Sequence, residues 1–140
     1  MIVQVTLARN EKPLIKELLP LWKKYVDGFV FLIDDRTTDD TIKYLEQVKA
    51  QYNILEILHL NLTDNNTKCP IETNYRQLLF DTAKKYSNKI ICLDADEYLD
   101  GSLTKAELES LLDNSPNTLY HLKWVQYTSC NTVRVDRKST

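Results

Sequence analysis

The chain has 140 residues, 43% of them hydrophobic and 27% charged, with a net charge of −2. That length fits one globular domain, able to bury roughly two-thirds of the surface its unfolded chain exposes. A charge so near zero leaves no basic footprint for nucleic acid, and no apolar run reaches the ~18 residues of a membrane span.

Cys69, Cys92 and Cys130 are an odd, widely spaced set that matches neither a zinc pattern nor a disulfide framework. The N-terminal stretch lacks the basic leader and apolar length of a secretory signal, so a cytoplasmic protein is expected, reaching any membrane through partners. Asn61-Leu62-Thr63 and Asn65-Asn66-Thr67 match the glycosylation acceptor pattern, and without an export signal they read as chance matches.

Ile2 to Leu7 is rich in β-formers and predicts a first strand. Asn10 is placed to cap a following helix, with Pro13 in its first turn. Leu14, Leu18, Leu21, Trp22, Tyr25 and Val26 recur at helical spacing; Pro20 should kink or split this helix and Gly28 should end it. Phe29 to Ile33 is a continuous apolar run, as in a strand covered on both faces, and it stops at Asp34-Asp35. Thr38 or Asp39 caps a second helix carrying Ile42, Leu45, Val48 and Tyr52 on one side. Ile54 to Leu62 predicts a third strand, and 61–70 a polar loop. Tyr75, Leu78, Leu79, Thr82, Ala83 and Tyr86 make a clean helical stripe.

Lys89 to Leu93 predicts a fourth strand, which again runs into acids at Asp94. Thr104 and Glu107 have capping-box spacing ahead of a helix with Leu108, Leu111 and Leu112 on its inner face. Leu119 to Thr128 alternates, with Tyr120, Leu122 and Trp124 on one face of a fifth strand that reads as core. His59 and His121 read as structural. The alternation of strands and helices calls for a mostly parallel central sheet flanked by helices. One α/β domain is expected over 1–130, followed by a loose polar tail at 131–140.

In such a sheet the ligand site lies beyond the carboxyl ends of the strands. Ala8-Arg9-Asn10-Glu11, Asp34-Asp35 and Asp94-Ala95-Asp96-Glu97 all fall there. Acids gathered at one edge repel each other and raise their own pKa values. A divalent cation relieves that repulsion, and carboxylate oxygens suit Mg²⁺ or Mn²⁺. Asp39 and Asp40 read instead as acids in the first turn of a helix.

These segments together resemble the family 2 glycosyltransferases of the GT-A fold, over roughly residues 2 to 101. The motifs carrying the resemblance are Arg9-Asn10-Glu11 after the first strand, Ile33-Asp34-Asp35-Arg36-Thr37-Thr38-Asp39-Asp40-Thr41 after the second, and Leu93-Asp94-Ala95-Asp96-Glu97 after the fourth. The resemblance implies a Rossmann-like nucleotide-diphospho-sugar-binding domain. Asp94-Ala95-Asp96 would be its DxD motif, Asp96 binding Mn²⁺ or Mg²⁺ and Asp94 the ribose or the metal's water shell. Asp34 and Asp35 would reach the nucleotide, Ala8 to Glu11 would line the base and ribose pocket, and Arg76 would lie near the nucleotide.

The implied partners are a UDP-sugar, the commonest family donor, and an acceptor hydroxyl of unspecified identity. Departures are Arg36-Thr37 where the family often has Gly-Ser, and Asp40 where it has glycine. Family members usually continue well past this length, and the later part supplies the catalytic base and the acceptor site. Glu109, Asp113 and Asp136 read as surface acids, so no base is assigned. A partner chain or a further C-terminal part is expected to complete the site.

The main alternative is a catalytically idle domain that binds the nucleotide sugar. A calcium loop over 96–107 has acids at its first and fifth positions, glycine at the sixth and glutamate at the twelfth. Its third position, however, is Tyr98, and a strand precedes it where a helix is needed. A dehalogenase-type phosphatase or a receiver domain would want its acids after the first strand. A nucleotidyltransferase would want a glycine-rich loop, and this chain has only Gly28 and Gly101.

Overall fold

The most apolar runs of the chain become the inner strands of one sheet. The computed structural model describes residues 1–34, 36–60, 72–114, 119, 124–127 and 133–136. In it β1 (Ile2–Ala8) lies parallel to β2 (Gly28–Asp34), in register from Val3 with Gly28 to Ala8 with Ile33. β3 (Ile54–Leu60) adds to the free side of β2 and β4 (Lys89–Cys92) to the free side of β1, both parallel. The order is β3-β2-β1-β4. Every residue of β2 is buried, as its unbroken apolar sequence requires once helices cover both faces.

Side chains alternate between two cores because a strand turns its residues to opposite faces in turn. On one face Ile2, Ala8, Phe29, Phe31 and Ile33 meet three helices: α1 (Lys12–Trp22), α2 (Thr41–Tyr52) and α4 (Lys105–Asn114). Trp22 anchors this layer, its ring centroid 6.2 Å from that of Phe29 and 6.5 Å from that of Phe31. On the other face Val3, Val5, Val30 and Leu32 meet Tyr75, Leu79 and Ala83 of α3 (Glu72–Lys84). Two successive crossovers build the sheet toward β3, and the third carries the chain back past β2 and β1 to β4. Strand order therefore reverses between β1 and β4, as in a Rossmann-like unit.

Several expectations shift. The buried face of α1 is Ile15, Leu18, Leu19 and Trp22, while Leu14 is 37% exposed, so the apolar stripe is rotated by one residue. α1 accommodates Pro20 and ends two residues later at Trp22. Tight turns over 23–25 replace the expected last helical turn, and Gly28 opens β2 instead of closing the helix. A Cβ at Gly28 would come within 2.9 Å of Leu55 Cδ1, so a larger residue there would have to displace the Leu55 side chain on the neighbouring strand. Leu78 of α3 and Tyr86, two residues past its end, face outward.

The fifth strand expected over Leu119 to Thr128 is β5 (Trp124–Tyr127), but it does not join the central sheet; it pairs antiparallel with β6 (Val133–Asp136) in a separate two-stranded sheet. The tail thus holds a strand where a loose segment was expected. The side chains of Tyr120, Leu122 and Trp124, Cys69, Cys130 and His121 lie outside the described residues, as do both glycosylation patterns. His59 is exposed. Among the described residues no helix is long and apolar enough to cross a membrane.

Candidate functional site

Parallel strands all deliver their following loops to the same edge of the sheet. Here the β1–α1, β2–α2 and β4–α4 connections emerge together at the reversal in strand order.

Asn10 joins the first two of these loops. It adopts a left-handed backbone, φ 52°, which asparagine tolerates better than most residues. Its Oδ1 accepts the N–H of Thr38 at 2.7 Å and of Asp39 at 3.1 Å. Asn10 does not cap α1, whose N-cap is Glu11 with no side-chain hydrogen bond. Asp39 holds the start of α2 by accepting the Thr41 N–H at 3.0 Å and the Thr41 hydroxyl. That is the structural role its position suggested. Asp40 pairs with Lys12 at 2.7 Å.

Asp34 is buried and held by its own loop. Arg36 donates from Nε at 2.9 Å and from Nη2 at 2.5 Å to Oδ2, and its backbone N–H donates at 2.9 Å to Oδ1. The Arg36 guanidinium keeps this carboxyl below the usual range, outweighing the effect of burial. Asp35 lies outside the described residues. Ala8 is 3% exposed and its methyl belongs to the core, so only its backbone is available to a pocket. Arg9 is exposed, and its charge reaches Asp34.

The Asp94-Ala95-Asp96 turn is fixed from both sides. The Asp94 N–H donates to Glu97 Oε1 at 2.8 Å, and the Glu97 N–H returns to the Asp94 carbonyl at 3.0 Å. The indole N–H of Trp22 donates to the Glu97 carbonyl at 2.8 Å, tying the turn to the aromatic core. Ala95 is packed into that core, which explains a small residue between two acids; Asp94 is half-buried and Asp96 exposed. Arg76 of α3 reaches Asp94 Oδ1 at 3.2 Å and Cys92 Sγ at 3.4 Å. Cys92 is exposed as a residue, yet burial of its sulfur still pushes the thiol up, with Arg76 opposing.

Glu11 connects the three loops electrostatically. Its carboxyl is raised above the ordinary value, first by burial and then by the charges of Asp96 and Asp39. Charges from the β2 and β4 connections therefore reach Glu11, but the expected mutual repulsion does not extend to Asp34, whose charge Arg36 offsets. Among the described residues no three His, Cys, Asp or Glu side chains converge into a ready-made metal cage.

Arg36, Trp22 and Glu97 escaped the site reading. Glu97 lies three residues after Asp94, the spacing at which a carboxylate reaches back to a backbone N–H, and that signal was available. The Trp22 contact spans 75 residues and had no local signature. A shallow hollow along α4, lined by Leu103, Ala106 and Leu111 among others, involves none of these acids. The calcium-loop alternative gains no support, since β4 enters as a strand.

Fold and site thus define a Rossmann-like α/β domain with a charged strand-end site at the reversal of strand order. No protein-family model matches the chain, and no curated protein matches it in sequence.

Proposed function

We propose that this chain is the nucleotide-sugar-binding domain of a GT-A-type, metal-assisted glycosyltransferase. The observation that carries the reading is the delivery of Glu11, Asp39 and the Asp94-Ala95-Asp96 turn by three separate connections to one sheet edge, where the charges of Asp96 and Asp39 add to burial in raising the Glu11 carboxyl. Uncompensated acids of this kind favour a cation.

Mg²⁺ binds through one or two carboxylates plus waters and substrate phosphates, and Mn²⁺ accepts the same oxygen donors. Asp96, exposed on a turn anchored by Trp22, and Asp94 beside it are the proposed ligands. When bound, the cation supplies Lewis-acid stabilisation of the diphosphate leaving group. Arg9, Asn10 and Glu11 line the ribose side of the pocket, together with the Ala8 backbone. Asp35 serves the base, from a loop that the Arg36–Asp34 pair holds in shape. Arg76 stands on the phosphate side. A UDP-sugar is the favoured donor, and its acceptor is a hydroxyl deprotonated by a base supplied from outside these residues.

The test is thermal melting with a panel of nucleoside diphosphates, with and without Mn²⁺. A ligand at a hundred times its Kd adds about 2.7 kcal/mol, which raises Tm by several degrees. We expect a Mn²⁺-dependent rise with UDP that Asp96→Ala abolishes. No rise with any nucleotide rejects the proposal. Sugar transfer to a supplied hydroxyl acceptor separates an enzyme from a domain that only binds.

A further inference from the structure

α4 carries two stripes of opposite character. Its apolar stripe is thin: Leu108 is its buried side chain, Leu112 is partly buried and Leu111 is 37% exposed. α1, on the same sheet face, buries Ile15, Leu18, Leu19 and Trp22. That face also has a polar centre. Gln4 and Thr6 of β1 turn to the side of Ile2 and Ala8 by strand alternation. Both are buried, and Gln4 Oε1 accepts no hydrogen bond among the described residues, which weakens the layer packed over it.

The second stripe is charged. Lys105, Glu109 and Asp113 recur every four residues and so share one side of the helix. Lys105 pairs with Asp27, just before β2. Glu109 and Asp113 both pair with Lys89, the first residue of β4, at 3.2 and 2.8 Å. The Met1 amine adds a contact to Glu109 at 3.7 Å. These partners lie at the starting ends of the parallel strands, the edge opposite the acidic connections.

Lys105 and Asp113 oppose the helix that carries them. Lys105 stands in the first turn and Asp113 in the last, each at the end where the backbone dipole disfavours it. Lysine four residues before glutamate is also the weaker order for a pair along a helix. At 10 residues α4 is shorter than the about 12–15 that an isolated helix needs. Its capping box of Thr104 and Glu107 works the other way, but at one end only. The charged stripe thus stabilises α4 only against its partners on the sheet.

We propose that α4 is a conditionally folded cover, which the ion pairs at Asp27 and Lys89 hold on the sheet and which detaches and unwinds as a unit when they are screened, while β1, β2 and α2 stay folded. This is independent of the nucleotide reading. Release uncovers part of the apolar face to which Ile2, Ile91 and Leu93 belong. The paired side chains are between 23% and 54% exposed, so dissolved salt reaches them.

The experiment is amide hydrogen exchange of the full chain, read by nuclear magnetic resonance, at about 0.01 M and about 1 M NaCl, where the screening length falls from about 30 to about 3 Å. Relative to α2, the α4 amides over 105–114 should exchange about three- to tenfold faster at high salt, the range for two or three exposed pairs lost together. Amides of β1 and β2 should keep their protection. Lys89→Met removes the partner of both Glu109 and Asp113. It should give most of that acceleration already at low salt and blunt the response to more. Lys105→Met is the second variant should the first fold poorly, and it should act in the same sense. Lys12→Met removes a lysine paired with Asp40 and should leave α4 unchanged.

If α4 amides exchange as slowly as those of β1 and β2 at both salt concentrations, α4 opens only with the whole molecule and the proposal is wrong. Early opening of α4 that ignores salt and both variants also overturns it, because Leu108 packing would then set the opening. Equal acceleration by Lys12→Met does the same, since overall charge would account for it.

Discussion

Glu11 and Asp34 sit at the same sheet edge and titrate in opposite senses. Glu11 is raised from its usual 4.5, by burial first and then by Asp96 and Asp39. A raised carboxyl binds its proton more readily folded than unfolded. The stability this gives is therefore present below pH 4.5 and is lost as pH rises through the elevated value. Asp34 is lowered from 3.8 by the Arg36 side chain, so its contribution is present above 3.8 and lost as pH falls through the lowered value. Glu11→Gln should accordingly melt higher than wild type at pH 7, with the gap closing by pH 4. An equal gap at both pH values in calorimetry would show that repulsion is not its source. The sequence located these acids but not their charge states. Arg36 was legible only as a departure from a family pattern, and nothing local signalled that it would saturate Asp34.

Elements were legible where their causes are local. The capping box of α4 forms as its spacing predicts, Thr104 N–H to Glu107 Oε1 at 3.3 Å and Glu107 N–H to Thr104 Oγ1 at 3.1 Å. The stripe of α2 is also as read, with Leu45 buried and Ile42, Val48 and Tyr52 packed against it. Where an element depends on a distant partner, the reading slipped. α1 turns Ile15 and Leu19 inward in place of Leu14, and Asn10 serves the β2–α2 loop instead of its own helix. Trp22 is the clearest case: the last residue of α1 fixes the turn that presents Asp94 and Asp96. Trp22→Phe keeps a ring in the core but leaves the Glu97 carbonyl without its donor, a loss of about 1–3 kcal/mol. Urea denaturation should register that loss, and the Mn²⁺–UDP thermal rise should shrink with it. A full-sized rise in the variant would mean the turn is held by other contacts.

At the scale of the molecule the order β3-β2-β1-β4 decides where chemistry is concentrated. It puts β1 and β2 inside and sets the reversal of direction next to β1, so three acidic connections share one edge. Hydrogen exchange with Mn²⁺ and UDP should therefore slow at residues 8–11, 36–41 and 93–97 and leave α4, over 105–114, unchanged. Protection centred on α4 would move the ligand to the hollow along that helix. Strand and helix alternation, the two-sided burial of β2 and the positions of the acidic segments follow from residue periodicity, which acts over a few neighbours and is written in the chain. Strand order, the antiparallel pairing of β5 with β6, the Trp22 tether and the choice of carboxylate for each arginine were settled only by folding. Each depends on groups far apart along the chain, and their relative energies take effect only once packing has brought them within a few ångströms.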